Sequence, residues 1–391
     1  NFGLGQSPFP VPVPVVEALR LHAHEKEYLP VQGLFPLKEA VAGFHRQKDL
    51  VEANADYVLV GPGSKELMFL LQLVFYGEII VPTPCWVSYV PQAQILGKRV
   101  SLLHTSFEDK WHIRADRLSE LLEGEKDTYR PRLLVLNYPG NPDGLTYTAN
   151  ELKEIAEVAR EYELILLSDE IYGQLHHRGG HVSVARFYPE GTIISSGLSK
   201  WCGAGGWRLG TFTFPRSLDW LMDAMAAVAS ETYTSVSAPI QYAAIEAFRG
   251  SMVIERYLWH ARRILSVLGQ KCYRMLSDAG VRLHSPEGAF YMFPDFSPFA
   301  IELAKMNIKT SKQLCEKLFQ ETAVAMLPGR VFERPCEELT ARISYINFSG
   351  AKSLAASETI AIHNELPAEF IQAHCEETLR GMEILTEWLT S

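Results

Sequence analysis

The chain is 391 residues long, which allows one large domain with a smaller one attached to it. Its 47% hydrophobic and 21% charged residues are typical of a globular protein. The net charge of −9, with no run of basic residues, argues against nucleic-acid binding, which requires a clustered positive face.

The cysteines and the apolar runs favour a cytoplasmic location. The six cysteines lie far apart and form no C-x-x-C pair, a pattern typical of free thiols in a reducing compartment and not of a disulfide framework or a zinc site. The longest apolar run, residues 67–76, is too short to cross a bilayer. No signal-peptide pattern opens the sequence, and we expect no membrane partner.

The first 50 residues are predicted to form an extended arm and two helices. Four prolines between Pro8 and Pro14 force an extended course, and the apolar residues among them favour an arm that lies on another surface. One helix is predicted over residues 15–28, where Tyr28-Leu29-Pro30 ends it, and another over residues 37–48.

From residue 50 to residue 214, short apolar runs alternate with helical patterns. Such alternation predicts a mostly parallel sheet with helices on both faces. The seven predicted strands cover residues 57–60, 79–81, 100–103, 133–136, 164–167, 192–194 and 209–214. The connection between the last two strands is rich in glycine and has no room for a crossover helix, so the last strand is predicted to be antiparallel.

The sequence turns helical after residue 224, with one long helix predicted around residues 240–276. A smaller α+β region follows, with strands predicted at 289–293, 323–326 and 342–348 and a final helix at 368–389. No repeat or low-complexity linker separates the two regions. We therefore expect the domain boundary inside the long helix, near residues 255–275.

The residues from Ser195 to Gly210 place a lysine, a glycine cluster and an arginine between two predicted strands. Closely spaced glycines let the backbone turn sharply and approach a ligand. A partly desolvated lysine can lose its proton and attack a carbonyl, and the planar fork of an arginine binds phosphate or carboxylate. One interpretation is that Lys200 forms a Schiff base with pyridoxal phosphate (PLP) and that Arg208 binds the phosphate. The alternative is a solvated lysine on a flexible loop.

Polar residues also follow three other predicted strands, at the edge where an open parallel sheet binds its ligands. Gly61-Pro62-Gly63-Ser64-Lys65 leads into a helix start that suits a phosphate, although such turns are common. The segment from Asn137 to Gly144 is either a surface turn or a rigid loop, with a cis bond at Asn141-Pro142, that directs an amide at a ligand. Asp169 either caps a helix or keeps a pyridine nitrogen protonated, and Tyr172 is placed to bind the phenolic oxygen of the ring.

Taken in order, these motifs resemble the fold-type-I PLP aminotransferases of the aspartate aminotransferase family. Six motifs carry the resemblance: Gly63-Ser64-Lys65, Trp86, Asn141-Pro142-Asp143-Gly144, Asp169-Glu170-Ile171-Tyr172, Ser199-Lys200 and Gly206-Trp207-Arg208-Leu209-Gly210. The segments Glu27-Tyr28-Leu29-Pro30 with Gly33, Pro286-Glu287-Gly288-Ala289-Phe290-Tyr291 and Arg342-Ile343-Ser344 match further motifs of the family.

The fold implied by the resemblance is α/β: a mostly parallel seven-stranded sheet with helices on both faces, plus a smaller α+β domain. It implies three parts of the chain. Residues 1–30 form an arm and a helix that pack with the small domain and the partner subunit, residues 31–265 form the large PLP-binding domain, and residues 266–391 form the small C-terminal domain.

The resemblance also implies roles around the cofactor ring. Lys200 is the catalytic residue, which binds the cofactor and then carries a proton between substrate and cofactor. Asp169 pairs with the pyridine nitrogen, and Asn141 and Tyr172 hold the phenolic oxygen. Trp86 stacks on the ring face, with core packing as the alternative.

The remaining implied roles concern the phosphate and the substrate. Gly63, Ser64, the backbone of Lys65 and Arg208 bind the phosphate. Tyr28 reaches the phosphate of the neighbouring subunit, which implies a homodimer with shared active sites. Arg342 clamps the substrate α-carboxylate in a fork, with Asn141 and the backbone near Gly5 beside it.

Two features depart from this pattern or lie outside it. Gly197 stands three residues before the lysine, where many relatives have a Ser or Thr that binds the phosphate, and Ser196 and Ser199 are the candidates to replace it. His176, His177 and His181 are interpreted as part of a solvated loop, and no metal site is predicted.

The activity implied by the resemblance is transamination. An L-amino acid gives its amino group to the cofactor, and a 2-oxo acid takes it from pyridoxamine phosphate in a second half-reaction, a ping-pong mechanism. The residues do not specify which amino acid is used. Two alternatives stay open: a C–S β-lyase or related eliminating enzyme of the same fold, and a non-catalytic PLP-binding regulator. Against the regulator stand the intact Lys200, Asp169 and Arg342.

Overall fold

A seven-stranded mixed sheet forms the centre of the computed structural model, which describes residues 1–124, 127 and 129–391. In chain order the strands are β1 Val58–Gly61, β2 Glu78–Thr83, β3 Val100–His104, β4 Arg132–Asn137, β5 Ile165–Asp169, β6 Thr192–Gly197 and β7 Gly210–Thr213. All seven lie where the sequence predicts strands. The predicted mostly parallel sheet is confirmed.

The spatial order of the strands is β1-β7-β6-β5-β4-β2-β3. Strand β7 is antiparallel to both of its neighbours, β1 and β6, and the other neighbouring pairs are parallel. The amino end of β7 therefore lies at the same edge of the sheet as the carboxyl ends of the other strands. The antiparallel last strand, predicted from the glycine-rich connection, is confirmed.

The described residues before 280 include nine α-helices: α1 Val13–Leu21, α2 Phe35–Phe44, α3 Ser64–Val74, α4 Tyr89–Ile95, α5 Ala115–Glu123, α6 Ala149–Glu161, α7 Asp219–Glu231, α8 Ala238–Arg249 and α9 Met252–Asp278. Helices cover both faces of the sheet, because alternate residues of a strand point to opposite sides. On β4, Leu133 and Val135 pack with α3, α4 and α7, whereas Leu134 and Leu136 pack with α5 and α6.

A second, smaller α+β region follows α9. Its three antiparallel strands, β8 Tyr291–Met292, β9 Leu327–Pro328 and β10 Ala341–Ser344, lie in the order β8-β10-β9. Its helices are α10 Ala300–Lys305, α11 Ser311–Thr322, α12 Gly350–Glu358, α13 Ala368–His374 and α14 Glu376–Thr390. Among the residues described, no helix is both long and apolar enough to cross a membrane.

Several predicted boundaries are wrong, each for a local reason. The long helix over 240–276 is two helices, because Gly250 adopts a φ of 69° and the Ser251 side chain accepts a hydrogen bond from the Ile254 N–H. The strand predicted at 323–326 lies instead at β9, because Ala323, with a φ of 61°, ends α11. The final helix is likewise broken, at Cys375.

The N-terminal helix is also shorter than predicted, and the arm before it lies on the small region. Helix α1 ends at Leu21, not at residue 28. The Phe2 N–H donates to the Ala325 carbonyl at 2.8 Å, and the Phe2 carbonyl accepts from the Ser344 N–H at 2.9 Å. The Phe2 ring is buried. These contacts hold the first residues of the chain beside β10.

Candidate active site

A cavity of about 650 Å³ opens at the sheet edge where the carboxyl ends of β1, β2, β4, β5 and β6 meet the amino end of β7. Ten of the twelve predicted site residues line it: Gly5, Ser64, Lys65, Trp86, Asn141, Asp169, Tyr172, Lys200, Arg208 and Arg342. The parallel strands bring these residues together from distant parts of the sequence.

Three glycines in register allow a close backbone approach at this edge. Gly210 of β7 pairs with Gly61 of β1 on one side and with Gly197 of β6 on the other. A Cβ on Gly210 would lie 2.2 Å from the Ser64 nitrogen, at the start of α3. The first N–H groups of a helix have no partner within the helix and carry its positive dipole end, so this start suits an anion.

The Arg208 guanidinium lies beside the same helix start. A Cβ on Gly63, whose φ is +95°, would lie 2.3 Å from Arg208 Nη2, so only glycine leaves this space to the arginine. Arg208 Nη1 donates to the Gly205 carbonyl at 2.9 Å. The backbone N–H groups of α3 and one guanidinium thus border the same part of the cavity.

Asp169, the last residue of β5, is a buried carboxylate that accepts hydrogen bonds from two hydroxyls. The Tyr89 hydroxyl donates to Oδ2 at 2.7 Å, and the Ser195 hydroxyl donates to Oδ1 at 3.2 Å. Burial raises the pKa of Asp169 to about 6, although the two hydroxyls act in the opposite direction. The positive charge of Lys200 also acts against the effect of burial but does not cancel it, and a protonated ring nitrogen would further stabilise the carboxylate.

Lys200 lies in the same cavity, in contact with the N-terminal arm. Its Nζ donates to the Gly5 carbonyl at 2.5 Å and lies 5.4 Å from the centre of the Tyr172 ring. Burial, and next the positive charge of Arg342, lower the pKa of Lys200 to about 8. A substantial fraction of the side chain is therefore the neutral, nucleophilic amine at pH 8.

Arg342 of β10 brings a second guanidinium into the cavity. Nη1 donates to Asn141 Oδ1 at 2.9 Å, and Nη2 donates to the Gly3 carbonyl at 2.6 Å. Its Nε is buried and makes no hydrogen bond to any residue that the structure describes. The guanidinium also lies 4.6 Å from the centre of the Tyr291 ring.

Aromatic side chains surround the space between these groups. Trp86 follows β2 and packs edge to face on Tyr89, with ring centres 5.3 Å apart. The hydroxyls of Tyr172 and Tyr291 share a hydrogen bond of 2.8 Å. Burial, and next the charge of Tyr291, raise the pKa of Tyr172, so its hydroxyl keeps its proton at neutral pH.

Two predicted site residues lie outside the cavity. Gly63 is adjacent to it and shapes the position of Arg208. Tyr28 is 89% exposed and does not line the cavity of its own chain.

The structure corrects the backbone prediction for the Asn137–Gly144 segment. The cis peptide bonds of the described residues are Thr83-Pro84 and Tyr138-Pro139, and the bond at Asn141-Pro142 is trans, so the predicted cis bond is wrong. The Asn141 N–H instead donates to Asn137 Oδ1 at 2.8 Å, which holds the turn in place.

Gly197 has a steric explanation. A Cβ at this position would lie 2.8 Å from the Leu209 carbonyl oxygen and 3.0 Å from the Gly210 Cα. A serine or threonine would therefore push against β7. Of the two serines proposed to replace it, Ser199 lines the cavity, whereas Ser196 is buried and does not line it.

The interpretation of His176, His177 and His181 as a solvated loop is wrong. His181 is buried, and its Nε2 lies 2.8 Å from Glu170 Oε2. Ligand-type atoms of Asp49, Glu170 and His181 lie within 4.8 Å of one another, so carboxylates do lie close to this histidine. Burial opposes the charge on Glu170, but His181 and the hydroxyls of Ser183 and Ser168 together hold the pKa of Glu170 below its ordinary value. We interpret the group as a structural ion pair.

Sequence reasoning missed Tyr89 and Tyr291. Tyr89 ends the motif Pro84-Cys85-Trp86-Val87-Ser88-Tyr89, and its hydroxyl makes the shorter of the two hydroxyl contacts to Asp169. Tyr291 ends the motif Pro286-Glu287-Gly288-Ala289-Phe290-Tyr291, and a Cβ on Gly5 would lie 2.5 Å from its hydroxyl. The motifs themselves contained the signal for both.

Comparison with known proteins agrees with this geometry over nearly the whole chain. The family model described as "Aminotransferase class I and II" matches residues 1–356. An aspartate aminotransferase of Geobacillus stearothermophilus is 32% identical over 371 residues, which cover 92% of this chain and 88% of that protein. The chain belongs to the class I and II aminotransferases.

Solved aminotransferase structures have the same fold. An aromatic aminotransferase from Pyrococcus horikoshii OT3 superposes with a TM-score of 0.83 at 26% identity, covering 99% of this chain and 95% of the other. The aspartate aminotransferase from Thermus thermophilus with maleate gives a TM-score of 0.82 at 27% identity, covering 98% and 90%. The resemblance and the type I fold predicted from the sequence are confirmed.

The enzyme is thus a PLP-dependent aminotransferase, as the sequence predicts. The residues of its cavity fit this cofactor. Gly63 and Gly210 leave room for a phosphate at the start of α3. The buried Asp169 carboxylate suits a pyridinium nitrogen, and Lys200 provides an amine of lowered pKa.

The close approach of Gly210 to the start of α3 predicts that Gly210→Ala weakens cofactor binding. The new methyl group would overlap rigid backbone at Gly63 and Ser64, at distances of 2.2–2.9 Å, and such overpacking costs about 1–3 kcal/mol. We expect at least about tenfold weaker binding of PLP, measured by titrating the apoenzyme and following the visible absorbance. Gly206→Ala is the matched control, because no atom lies within 4 Å of its added Cβ, although Gly206 lines the same cavity. Equal effects of the two substitutions would contradict the claim that PLP binding needs the space at Gly210.

The buried carboxylate predicts how the stability of the apoenzyme depends on pH. Asp169 has a pKa of about 6 in the folded chain, above the ordinary value of 3.8 for an aspartate, so the folded state binds the proton more tightly. This contribution to stability is fully present below pH 3.8 and is lost as the pH rises through 6. Relative to Asp169→Asn, the free energy of unfolding of the wild-type apoenzyme should fall by about 2 kcal/mol from pH 4 to pH 7 in urea titrations. A difference that does not change with pH would show that Asp169 titrates normally.

Proposed function

We propose that Lys200 is the acid–base catalyst of the transamination and that Arg342 binds the α-carboxylate of the amino acid or 2-oxo acid. The observation that carries this proposal is that Lys200, Arg342 and Asp169 line one cavity of about 650 Å³ at the sheet edge. Asp169 and Arg342 are buried and Lys200 is half-buried, and Arg342 Nε has no hydrogen-bond partner among the residues that the structure describes.

The chemistry of Lys200 follows from its environment. PLP, when bound, draws electrons away from the substrate α-carbon and so makes its proton acidic. With a pKa of about 8, Lys200 Nζ is close to half neutral near pH 8, so it can take this proton and later return it. Burial, the largest cause of the shift, thus prepares the residue for proton transfer.

Arg342 would orient the substrate for this transfer. A guanidinium binds a carboxylate with two parallel hydrogen bonds, and the walls around Arg342 strengthen them by excluding water. Asn141 Oδ1 and the Gly3 carbonyl hold the guanidinium in place, and its buried Nε has a donor to offer. We assign Gly5 and Asn141 to the same substrate site because both line the cavity.

The other lining residues would hold the cofactor. We assign the pyridine nitrogen to Asp169, the phenolic oxygen to Asn141 and Tyr172, and the ring face to Trp86. We assign the phosphate to Gly63, Ser64, the backbone of Lys65 and Arg208. The support for these assignments is the burial of Asp169 and the space that Gly63 and Gly210 leave at the start of α3.

We also propose a homodimer in which Tyr28 completes the phosphate site of the partner subunit. Tyr28 is 89% exposed, and Leu21 and Phe35 nearby in the sequence are exposed as well. Apolar side chains exposed together favour an interface. The proposed parts of each chain are the arm at 1–30, the large domain at 31–265 and the small domain at 266–391. Six free cysteines, five of them buried, support a cytoplasmic location.

The proposed roles of Lys200 and Arg342 predict two different kinetic defects. Lys200→Ala should abolish the visible absorbance change on adding an amino acid, whereas Lys65→Ala, which removes a lysine of the same cavity proposed to act through its backbone, should retain it. Arg342→Ala should raise KM by about a hundredfold, because two charge-assisted hydrogen bonds are lost, and Arg342→Lys should recover part of the loss. A normal KM in Arg342→Ala would remove this residue from the substrate site.

The same assay, with each amino acid added singly, identifies the donor. Conversion of the bound cofactor together with release of the matching 2-oxo acid identifies a substrate of the transaminase. Accumulation of oxo acid together with ammonia would instead indicate elimination. Aspartate, aromatic amino acids and asparagine are the first donors to test, since relatives carry these names.

The shared site predicts complementation between two inactive variants. Lys200→Ala has no catalytic amine, and Tyr28→Ala is expected to bind the cofactor weakly. In a mixed dimer, the Lys200 of the Tyr28→Ala chain would meet an intact Tyr28 from the other chain, so one native site is restored. Co-expressed, differently tagged chains should show about half the wild-type activity per mixed dimer. If Tyr28 acted within its own chain, the mixed dimer would stay inactive.

A further inference from the structure

A second cavity, of about 840 Å³, shares no lining residue with the active site. One wall is helix α9, from Trp259 to Arg274. The facing walls are the loop at residues 177–179 and the segment that joins α12 to α13, residues 362–366, together with parts of α13 and α14. We call this cavity the α9 cleft. Its volume is in the range typical of small-molecule sites.

The α9 cleft concentrates positive charge. The α9 residues that line it recur at spacings of three and four, which places them on one face of the helix. Four of them are basic, and the facing loop adds a fifth cation; the five are Arg178, Arg262, Arg263, Lys271 and Arg274. Within the described lining, Glu365 is the single carboxylate. This excess is notable in a chain whose net charge is −9.

Two of the arginines fix the walls of the cleft. Arg262 Nε donates to the Gln174 carbonyl at 2.6 Å, which ties α9 to the chain just before the 177–179 loop. Arg263 donates to Ser357 Oγ at 2.9 Å and to the Asn364 carbonyl at 3.1 Å, and it lies 4.5 Å from the centre of the Trp259 ring. The cleft is therefore braced on both sides by hydrogen bonds.

The other three cations are free to bind a ligand. Arg178, Lys271 and Arg274 are exposed, and the part of the chain that the structure describes offers their side chains no hydrogen bond or ion pair. Lys271 and Arg274 are three residues apart on α9, so their Cβ atoms are neighbours at about 5–6 Å. Arg178 approaches from the facing loop.

We propose that the α9 cleft binds a small polyanion that carries two or more phosphate groups. Adjacent phosphates match the neighbouring charges of Lys271 and Arg274, and the arginine forks bind phosphate oxygens in pairs. A single phosphate would engage only part of this set. The braced walls and the volume of about 840 Å³ fit a small molecule better than an extended chain.

The test is calorimetric titration of the PLP-loaded enzyme with inorganic tripolyphosphate at low ionic strength. We expect saturable binding of one molecule per chain, and at least about tenfold weaker binding of orthophosphate. Lys271→Glu combined with Arg274→Glu should weaken tripolyphosphate binding by at least about tenfold, since each charge-assisted contact contributes about 1.5–3 kcal/mol.

The matched control is Arg216→Glu combined with Lys305→Glu. These side chains are exposed and lie outside the cleft, and each pair of reversals lowers the net charge by the same four units. The control should bind tripolyphosphate within about threefold of the wild type, a difference expected from long-range screening alone. Equal weakening of both double variants would overturn the proposal, because it would show that only net charge matters.

Other outcomes also decide the question. Absence of saturable binding overturns the proposal. Binding that survives in the cleft variant and is displaced by a 2-oxo acid also overturns it, because such binding would place the ligand on Arg342. Binding of polyglutamate in preference to tripolyphosphate would indicate an acidic protein partner instead. Cofactor absorbance and melting temperature must match the wild type in each variant. If the double variant fails this check, Arg178→Glu on the exposed loop takes its place, with the same expected loss.

Discussion

The active site depends on three glycines that lie side by side on neighbouring strands and let the backbone at the start of α3 approach the sheet closely. Gly61, Gly210 and Gly197 lie in register across β1, β7 and β6. Because Gly210 has no Cβ, the start of α3 can lie directly against β7, with Ser64 N at the place a methyl group would need. The antiparallel direction of β7 then puts Arg208 at the edge where the other strands end. One backbone constraint thus brings Arg208 and the start of α3 to the same part of the cavity.

Two ionisable side chains, Asp169 and Lys200, define the chemistry of the rest of the active-site cavity. Asp169 and Lys200 are shifted in opposite directions by the same cause, burial, which favours the neutral form of each. Neither is left without hydrogen bonds, because Tyr89 supports the carboxylate and the Gly5 carbonyl accepts from the amine. The N-terminal arm is therefore part of the site, and through Gly3 it also holds Arg342, near the other end of the sequence. The site joins residues from both ends of the chain.

The overall charge conceals local differences that matter for binding. The active-site cavity contains cations together with the Asp169 carboxylate, which suits a zwitterionic cofactor and substrate. The α9 cleft has a strong excess of arginine and lysine over its one described carboxylate. A net charge of −9 excludes neither, because binding responds to the charges within a few ångströms of the ligand.

The sequence by itself determined the seven strands, the antiparallel direction of β7 and the position of Asp169, Lys200 and Arg208 at one edge of the sheet, because apolar periodicity and the residues that follow a strand are local signals. It misjudged the break at Gly250 and the strand near residue 325, where a single residue of positive φ ends a helix inside an apolar pattern. Only the tertiary structure decided that Tyr89 donates to Asp169, that the arm reaches Lys200, and that His181 pairs with Glu170. The first two contacts join residues 80 and 195 positions apart, and the third forms only because the loop after β5 folds back into the core, so no local pattern encodes them.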